Sequence, residues 1–346
     1  MCLAALCAAD PPVDALIEAG HWKRARSISL ARIKANPNDA QAHAWLGKIA
    51  TSFGDLDTAI REGECAVELD SHNATFHGLL AESYALMADR SSILKGLAYV
   101  RRMRREVDGA LALDPNNVDT LLLEMIFSWK APALAGGDKQ KARHIADQLV
   151  KISPAWGYLG QARLAQLQGD DATTEAALKK AAEAGPSFYR ARVSLAIFYC
   201  GERACPAPAT AERVAQQAIA LDAGAAAAYE VLARAYVAQK RWTDLETLLA
   251  GAEKAVPDDL GPYYAAADRL VETGQDFDRA ERYLRHYLGQ PAEGREATAP
   301  QAHGLLADMY EHAGRKADAF RELELALRLQ PDYEPAKRDL NRLRHF

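Results

Sequence analysis

A short turn motif recurs along the whole chain, and its spacing constrains the fold more than any other feature. The motif appears in segments such as ANPND, ALDPNN and RLQPDY, with markers at positions 37, 71, 115, 154, 186, 223, 257, 291 and 331. Successive markers lie 34, 44, 39, 32, 37, 34, 34 and 40 residues apart. Such a period predicts an array of stacked units, because each unit can bury its apolar face only against its neighbours.

Each interval between two turns contains two amphipathic segments. Apolar and small residues recur at i, i+3, i+4 and i+7, which is the spacing of an α-helix. Gly54 and Gly314 stand between two such segments, where glycine commonly ends a helix. The pattern predicts an all-α chain of helix-turn-helix units. The many alanines fit this interpretation, because small side chains allow paired helices to approach closely.

Two stretches, WLGKIATSFGDLDTAIREGECAVELD and GLLADMYEHAGRKADAFRELELALRLQPD, resemble tetratricopeptide repeats. The resemblance implies a right-handed superhelical α-solenoid of about eight units over residues 10–331, closed by a capping helix over 332–346. We interpret residues 1–9 as a signal-peptide remnant or a disordered N terminus. The insertions around SYALMADRSS and APALAGGDKQKA also resemble a widespread subgroup of uncharacterised bacterial repeat proteins, a likeness that implies a fold and no activity.

The overall charge and the known catalytic motifs point away from several function classes. The 42 basic and 47 acidic residues give a net charge of −5, so no global basic surface for nucleic acid is expected. No stretch of eighteen apolar residues is present, and the sequence shows no phosphate loop, nucleophile elbow or metal-ligand spacing. We therefore expect neither an enzyme nor a bound cofactor or metal. The basic run from Arg101 to Arg105 favours a solvated helix face over a contact with an acidic partner.

Proteins of the tetratricopeptide family bind peptides on the stripe that their first helices present to the inner groove. The resemblance implies a non-catalytic scaffold that binds a peptide or a partner segment there. An apolar, arginine-bearing middle and an acidic end would suit a segment with aliphatic anchors and a carboxylate. The candidate groove residues are Leu122, Ile126, Trp129, Trp156, Arg163, Arg190, Ile197, Arg234 and Tyr264.

Two alternatives remain open at this point. Trp129 and Trp156 fit core packing and ligand contact equally well, because aromatic side chains serve both purposes. A closed cavity lined by these two residues would favour a small-ligand or glycan-binding component of an envelope transport or assembly system.

The stretch FYCGERACPAPATAERV interrupts the repeat pattern with two cysteines. Cys200 and Cys205 are close enough in sequence for a short loop to bring their sulfurs together, and we predict a disulfide rather than two free thiols. The N-terminal MCLAALCAADPPVD resembles the end of a secretory signal. Because disulfides persist in exported proteins, we expect a periplasmic or secreted protein, with a cytoplasmic one as the alternative and Cys65 unpaired within the repeats.

Overall fold

The computed structural model describes residues 12–201, 204–294 and 297–344. Within these residues the chain is all-helical and contains no β-strand. The predicted N-terminal remnant, residues 1–9, lies outside them. The helices are α1 Val13–Ala19, α2 Trp22–Ala35, α3 Ala40–Phe53, α4 Leu56–Leu69, α5 Ala74–Arg90, α6 Ile93–Leu113, α7 Val118–Lys130, α8 Lys139–Ile152, α9 Pro154–Gln168, α10 Asp171–Ala184, α11 Tyr189–Tyr199, α12 Pro208–Leu221, α13 Ala226–Ala238, α14 Trp242–Ala255, α15 Gly261–Glu272, α16 Phe277–Tyr287, α17 Ala299–His312, α18 Lys316–Leu329 and α19 Glu334–Arg344, with a 3₁₀-helix at Ala133–Ala135.

Consecutive helices pair into hairpins, from α1–α2 to α17–α18, and α19 packs on α18 at the end of the array. The prediction of an all-α solenoid of helix-turn-helix units is confirmed. The turns within hairpins carry the expected signals: the Asp55 carboxylate accepts a hydrogen bond from the Thr58 amide at the start of α4, and Gly54 has φ 75° at the end of α3. The marker Pro291 lies in the longer connection 288–298, so the surplus residues of the last interval precede α17.

Contacts between hairpins define an inner and an outer side of the array. The first helix of a hairpin packs against the second helix of the preceding one and also touches its first helix, as in α3 with α5, α7 with α9 and α13 with α15. In the described residues the principal contacts include no such pairing of successive second helices. The first helices therefore lie closer together than the second ones, and they line the inner side of the curve.

Alanine and glycine occupy the positions where helices cross. Ala42, Ala59, Ala142 and Ala211 are completely buried. A Cβ atom on Gly157 in α9 would lie 2.2 Å from the backbone nitrogen of Val150 in α8. The close approach of helix backbones therefore depends on small residues, as expected from the alanine content.

The two predicted insertions lengthen neighbouring hairpins at the same edge. The α5–α6 hairpin exposes Ile93 and Leu94 at its tip, and the segment between α7 and α8 exposes Leu134. Asp89 and Lys130 join the two tips, with 3.7 Å between their charged groups. The basic run lies along α6: Arg101, Arg102 and Arg105 are exposed, whereas Arg104 hydrogen-bonds the buried Glu124.

The cysteine-containing interruption forms a tight loop between α11 and α12. Cys200 is the residue after α11, is completely buried, and is joined to Cys205 by a disulfide. The amide of Ala207 donates to the carbonyl of Tyr199 at 3.2 Å, which closes the loop onto the helix end. Cys65 is a free, partly buried thiol, and burial raises its pKa. For the isolated protein the disulfide remains a prediction, which thiol counting can test.

Candidate binding surface

The predicted groove residues all lie on first helices, from α7 to α15, which places them on the side of the chain that faces the inside of the curve. We call the exposed residues of these helices the inner surface. Their individual environments differ strongly. Some are exposed on the inner surface, and others belong to the hydrophobic core.

Trp156 and Arg190 come together on neighbouring first helices. The guanidinium carbon of Arg190 lies 5.2 Å from the centre of the Trp156 ring, and the ring of Phe188 lies 5.0 Å from it on centroids. Arg190 is exposed and Trp156 is partly buried. Stacking on an indole holds a guanidinium in a fixed orientation while its edge nitrogens stay free to bind a carboxylate. The sequence interpretation missed Phe188, which lies in the turn before α11.

Ile197 extends this region along α11. Its side chain is 47% exposed, which is unusual for isoleucine, and it lies about two helical turns beyond Arg190. On the preceding first helix, Arg163 is exposed and hydrogen-bonds the side chain of Gln166 at 3.4 Å. These residues place two cations and one aliphatic side chain on adjacent helices of the inner surface.

Trp129 belongs to the core of its own hairpin. Its side chain is 9% exposed and packs with Met125, Leu149 and their neighbours between α7 and α8. Lys139 and Arg143 of α8 lie over its ring at 5.1 and 5.4 Å. This burial favours the core alternative for Trp129, which faces the second helix of its hairpin instead of the groove.

Leu122 and Ile126, on the same helix as Trp129, are partly buried against this core. Less of their apolar area is exposed on the inner surface than their positions in the sequence suggest. The apolar middle of the predicted groove is therefore reduced at α7, and Ile197 on α11 is its most exposed member.

Arg234 is also buried, in contrast to the expectation of an exposed groove arginine. It is 6% exposed, and its Nη1 atom lies 3.9 Å from Oε2 of Glu230 one turn earlier on α13. Helix α13 packs closely against both α12 and α15, which leaves little of its surface open. Two of the three predicted arginines, Arg163 and Arg190, are thus available on the inner surface, and Arg234 is not.

An open cleft of about 280 Å³ lies at the C-terminal end of the inner surface, between α15, α17 and α19. Tyr264, Gln301 and Asp308 line it from the first helices, as the predicted acidic end requires, and Tyr333 and Asp339 contribute from the capping segment. Burial raises the pKa of Asp308, and the nearby Asp339 and Glu311 carboxylates raise it further. The sequence interpretation missed Tyr333 and Asp339, because it treated the cap only as a cover for the array.

A second cleft of about 280 Å³ lies between α6, α7 and α8, where Arg104 and Lys141 both bind the buried Glu124 carboxylate. Among residues 12–201, 204–294 and 297–344, no group of three or more His, Cys, Asp or Glu side chains is arranged to hold a metal ion. None of the helices described is both long and apolar enough to cross a bilayer.

The comparison with protein-family models agrees with this architecture. The sequence model of the tetratricopeptide repeat matches residues 13–74 and 264–334. A search of curated protein sequences returns no match. Among solved structures, a thermophilic tetratricopeptide protein of Thermus thermophilus is 21% identical and aligns over 54% of this chain and 94% of its own, with a TM-score of 0.47.

Two further solved structures also align with this chain. The Cut9–Hcn1 hetero-tetramer of the APC/C aligns over 93% of this chain and 58% of its own at 14% identity, with a TM-score of 0.46. The MamA protein aligns over 50% of this chain and 90% of its own at 19% identity, with a TM-score of 0.35.

Proposed function

We propose that this protein is a non-catalytic scaffold that holds a peptide or a partner segment on its inner surface, and the support is the match of the tetratricopeptide-repeat model to residues 13–74 and 264–334. The observation that carries the proposal is the row of first helices along the inner side of the array, in which the exposed Arg190 of α11 stacks on Trp156 of α9. An elongated partner segment can contact several helices of such a row at once, and each contact adds to the affinity.

The chemistry of the inner surface indicates what kind of segment it fits. Arg163 and Arg190 offer charge-assisted hydrogen bonds to a carboxylate, each contributing about 1.5–3 kcal/mol. Ile197 offers an aliphatic contact about two helical turns beyond Arg190 on α11. The C-terminal cleft is lined instead by two carboxylates, Asp308 and Asp339. A segment with a carboxylate and an aliphatic residue at one end and a basic residue at the other matches this distribution.

The alternative of a small-ligand or glycan-binding component has less support. Sites for small molecules commonly enclose about 300–1,000 Å³. The two clefts described above measure about 280 Å³ each and are open to solvent, and neither is lined by Trp129 or Trp156. Neither of these two clefts meets the condition set for this alternative, which is a closed cavity lined by Trp129 and Trp156.

We also propose that the protein works in the periplasm or is secreted. The support is the short loop that joins Cys200 to Cys205, since such bonds persist in oxidising compartments and are reduced in the cytosol. Fractionation of the native organism, with the protein detected by antibody, tests this assignment. Recovery with the cytosolic fraction would contradict it.

Selection from a displayed peptide library, followed by calorimetry with the selected peptide, tests the scaffold function. We expect Arg190→Ala to weaken binding about 10-fold or more, because the lost charge-assisted bond is worth at least about 1.4 kcal/mol. Arg101→Ala, which removes an exposed arginine from the second helix α6, is the matched control and should leave the affinity unchanged. Equal affinities of the two variants would contradict the proposed site.

A further inference from the structure

The first hairpin contacts a distant part of the array. His21, before α2, and Lys23, in its first turn, lie against residues 256–260 before α15 and residues 288–294 after α16. Ser52, at the end of α3, joins them, because its carbonyl oxygen lies close to Gly294. We call this set of interactions the end contact. It connects residues more than 230 positions apart in the sequence.

Lys23 forms the centre of the end contact. Its ammonium group donates to the carbonyl oxygens of Asp258 and Pro291, both at 2.7 Å. Its backbone amide donates to Oε2 of Glu293 at 2.9 Å. Helix α2 has no side-chain cap from its own N-cap residue, His21. Glu293 therefore caps α2 from the far end of the array.

The charges at this contact are largely shielded from solvent. The side chain of Glu293 is 2% exposed, and in the described residues its Oε1 atom has no hydrogen-bond partner. His21 hydrogen-bonds Asp258 at 2.9 Å and is 8% exposed. Asp259 follows in the same connection. The contact thus holds three carboxylates close to one histidine and one lysine, an arrangement whose energy depends on protonation.

The end contact also determines how the inner surface can be reached. It joins the edge that carries the turns within hairpins, at α1–α2 and α3–α4, to the opposite edge, which carries the connections between hairpins. The array therefore completes a turn, and its first hairpin touches the connections that precede α15 and α17. While the end contact is formed, the helices between its two sides enclose this part of the inner surface, and a segment reaches it by threading in end first. When the contact separates, the segment can also enter from the side.

We propose that the end contact is a pH-controlled closure of the inner surface, shut under mildly acidic conditions and released above neutral pH. This inference rests on the function proposed above, because it concerns access to the same surface. The closing element is the α1–α2 turn with the start of α2, and its receptors are residues 256–260 and 288–294.

The direction of the effect follows from the protonation of each group in the contact. Burial raises the pKa of Glu293 to about 7, and the nearby Asp258 and Asp259 carboxylates act in the same direction, whereas Lys23 opposes them. A carboxyl group whose pKa is higher in the closed state favours closure at low pH, and this advantage is lost as pH rises towards 7. Burial likewise raises the pKa of Asp259.

The remaining charged groups do not reverse this direction. The hydrogen bond to Asp258 raises the pKa of His21, although burial and Arg24 oppose it, so His21 also favours closure below its folded pKa. Burial would raise the pKa of Asp258, but His21 and Arg24 hold it below its usual value. Asp258 therefore stays ionised between pH 5 and pH 8 and contributes no pH dependence there. Among the described residues of the end contact, the groups that titrate in this range favour closure at the lower pH.

Small-angle X-ray scattering and hydrogen exchange on the full chain without a partner test the proposal. From Glu293 alone we expect the ratio of closed to open molecules to fall by roughly 50- to 100-fold between pH 5 and pH 8. The maximum dimension should increase, and the Lys23 amide should lose protection after correction for the intrinsic pH dependence of exchange. Identical dimensions and protection at both pH values would overturn the proposal.

Two variants distinguish the effect of ionising Glu293 from the effect of losing its hydrogen bond to α2. Glu293→Gln keeps a hydrogen-bond acceptor for α2 but cannot ionise, so it should remain closed at pH 8. Glu293→Ala removes the acceptor and should be open at both pH values. Glu334→Gln, which neutralises a carboxylate that is 79% exposed on the cap, is the control and should behave as the wild type. A full pH response in Glu293→Gln would contradict the assignment to Glu293. Because no partner is used, failure here is distinguishable from failure of the scaffold function.

Discussion

Nδ1 of His303 in α17 lies 2.6 Å from Oε2 of Glu322 in α18. The same pairing of a first-helix histidine with a second-helix glutamate occurs between His43 and Glu62 at 2.7 Å, and in the lengthened hairpin between His77 and Glu106 at 2.7 Å. The pair therefore tolerates an insertion at the hairpin tip. It fixes the two helices of a hairpin close to the turn that precedes them.

Glu322→Gln should destabilise the last hairpin. The Glu322 side chain is 6% exposed and also accepts a hydrogen bond from Arg285 at 2.6 Å. Burial alone would raise its pKa, but His303 and Arg285 hold it below its ordinary value. Loss of a buried, paired charge costs about 3 kcal/mol. We expect a lower urea midpoint at pH 7 and faster hydrogen exchange in α17 and α18.

The pH dependence gives this prediction a second readout. A carboxylate with a lowered folded pKa contributes stability above its ordinary pKa and loses it as pH falls through the folded value. The difference in urea midpoint between wild type and Glu322→Gln should therefore become smaller below about pH 4. Glu324→Gln, an exposed glutamate on the same helix, is the matched control. Similar urea midpoints for the two variants at pH 7 would show that the His303–Glu322 pair contributes little to stability.

Two glycine substitutions should have opposite effects. Gly157→Ala places a Cβ atom 2.2 Å from the Val150 nitrogen and 2.4 Å from its Cα atom, so α8 and α9 must separate, at a cost of about 3 kcal/mol. Gly251→Ala, within α14, meets nothing within 4 Å and should stabilise the helix by about 0.5–1 kcal/mol. Thermal midpoints measured by circular dichroism compare the two. A thermal midpoint for Gly157→Ala equal to that of wild type would show that α8 and α9 can separate without loss of stability.

Mass spectrometry of alkylated protein tests the disulfide. In denatured, unreduced material from the native compartment, peptides that contain Cys200 and Cys205 should carry no alkyl group before reduction, whereas Cys65 should be labelled. Reduction should expose both thiols together. Free labelling of both cysteines before reduction would remove the bridge and the main support for export.

The sequence predicted the architecture well because its signals are local and repeated. The turn markers, the helical spacing of apolar residues and the glycine at position 54 each act within one hairpin, and repetition along the chain makes the pattern unambiguous. The positions of small residues also led correctly to close helix packing.

The candidate surface was predicted less completely, because exposure depends on packing between units. Trp129 and Arg234 occupy groove positions in the sequence, but the neighbouring helices α8 and α15 cover the regions in which they lie. Phe188 and Tyr333 lie in turns, where the helical spacing carries no information. The end contact could not be predicted at all, because it joins His21 to Asp258 across the accumulated curvature of the array.

Site-specific photo-crosslinking in the native organism tests whether the inner surface binds the partner. A photoreactive phenylalanine analogue at Ile197, which is 47% exposed on the first helix α11, is compared with the same analogue at Leu221, which is 40% exposed on the second helix α12. We predict a discrete crosslinked product from position 197 that disappears when Arg190 is replaced by alanine, and none from position 221. A product from position 221 alone would show that the partner binds the second helices and not the inner surface.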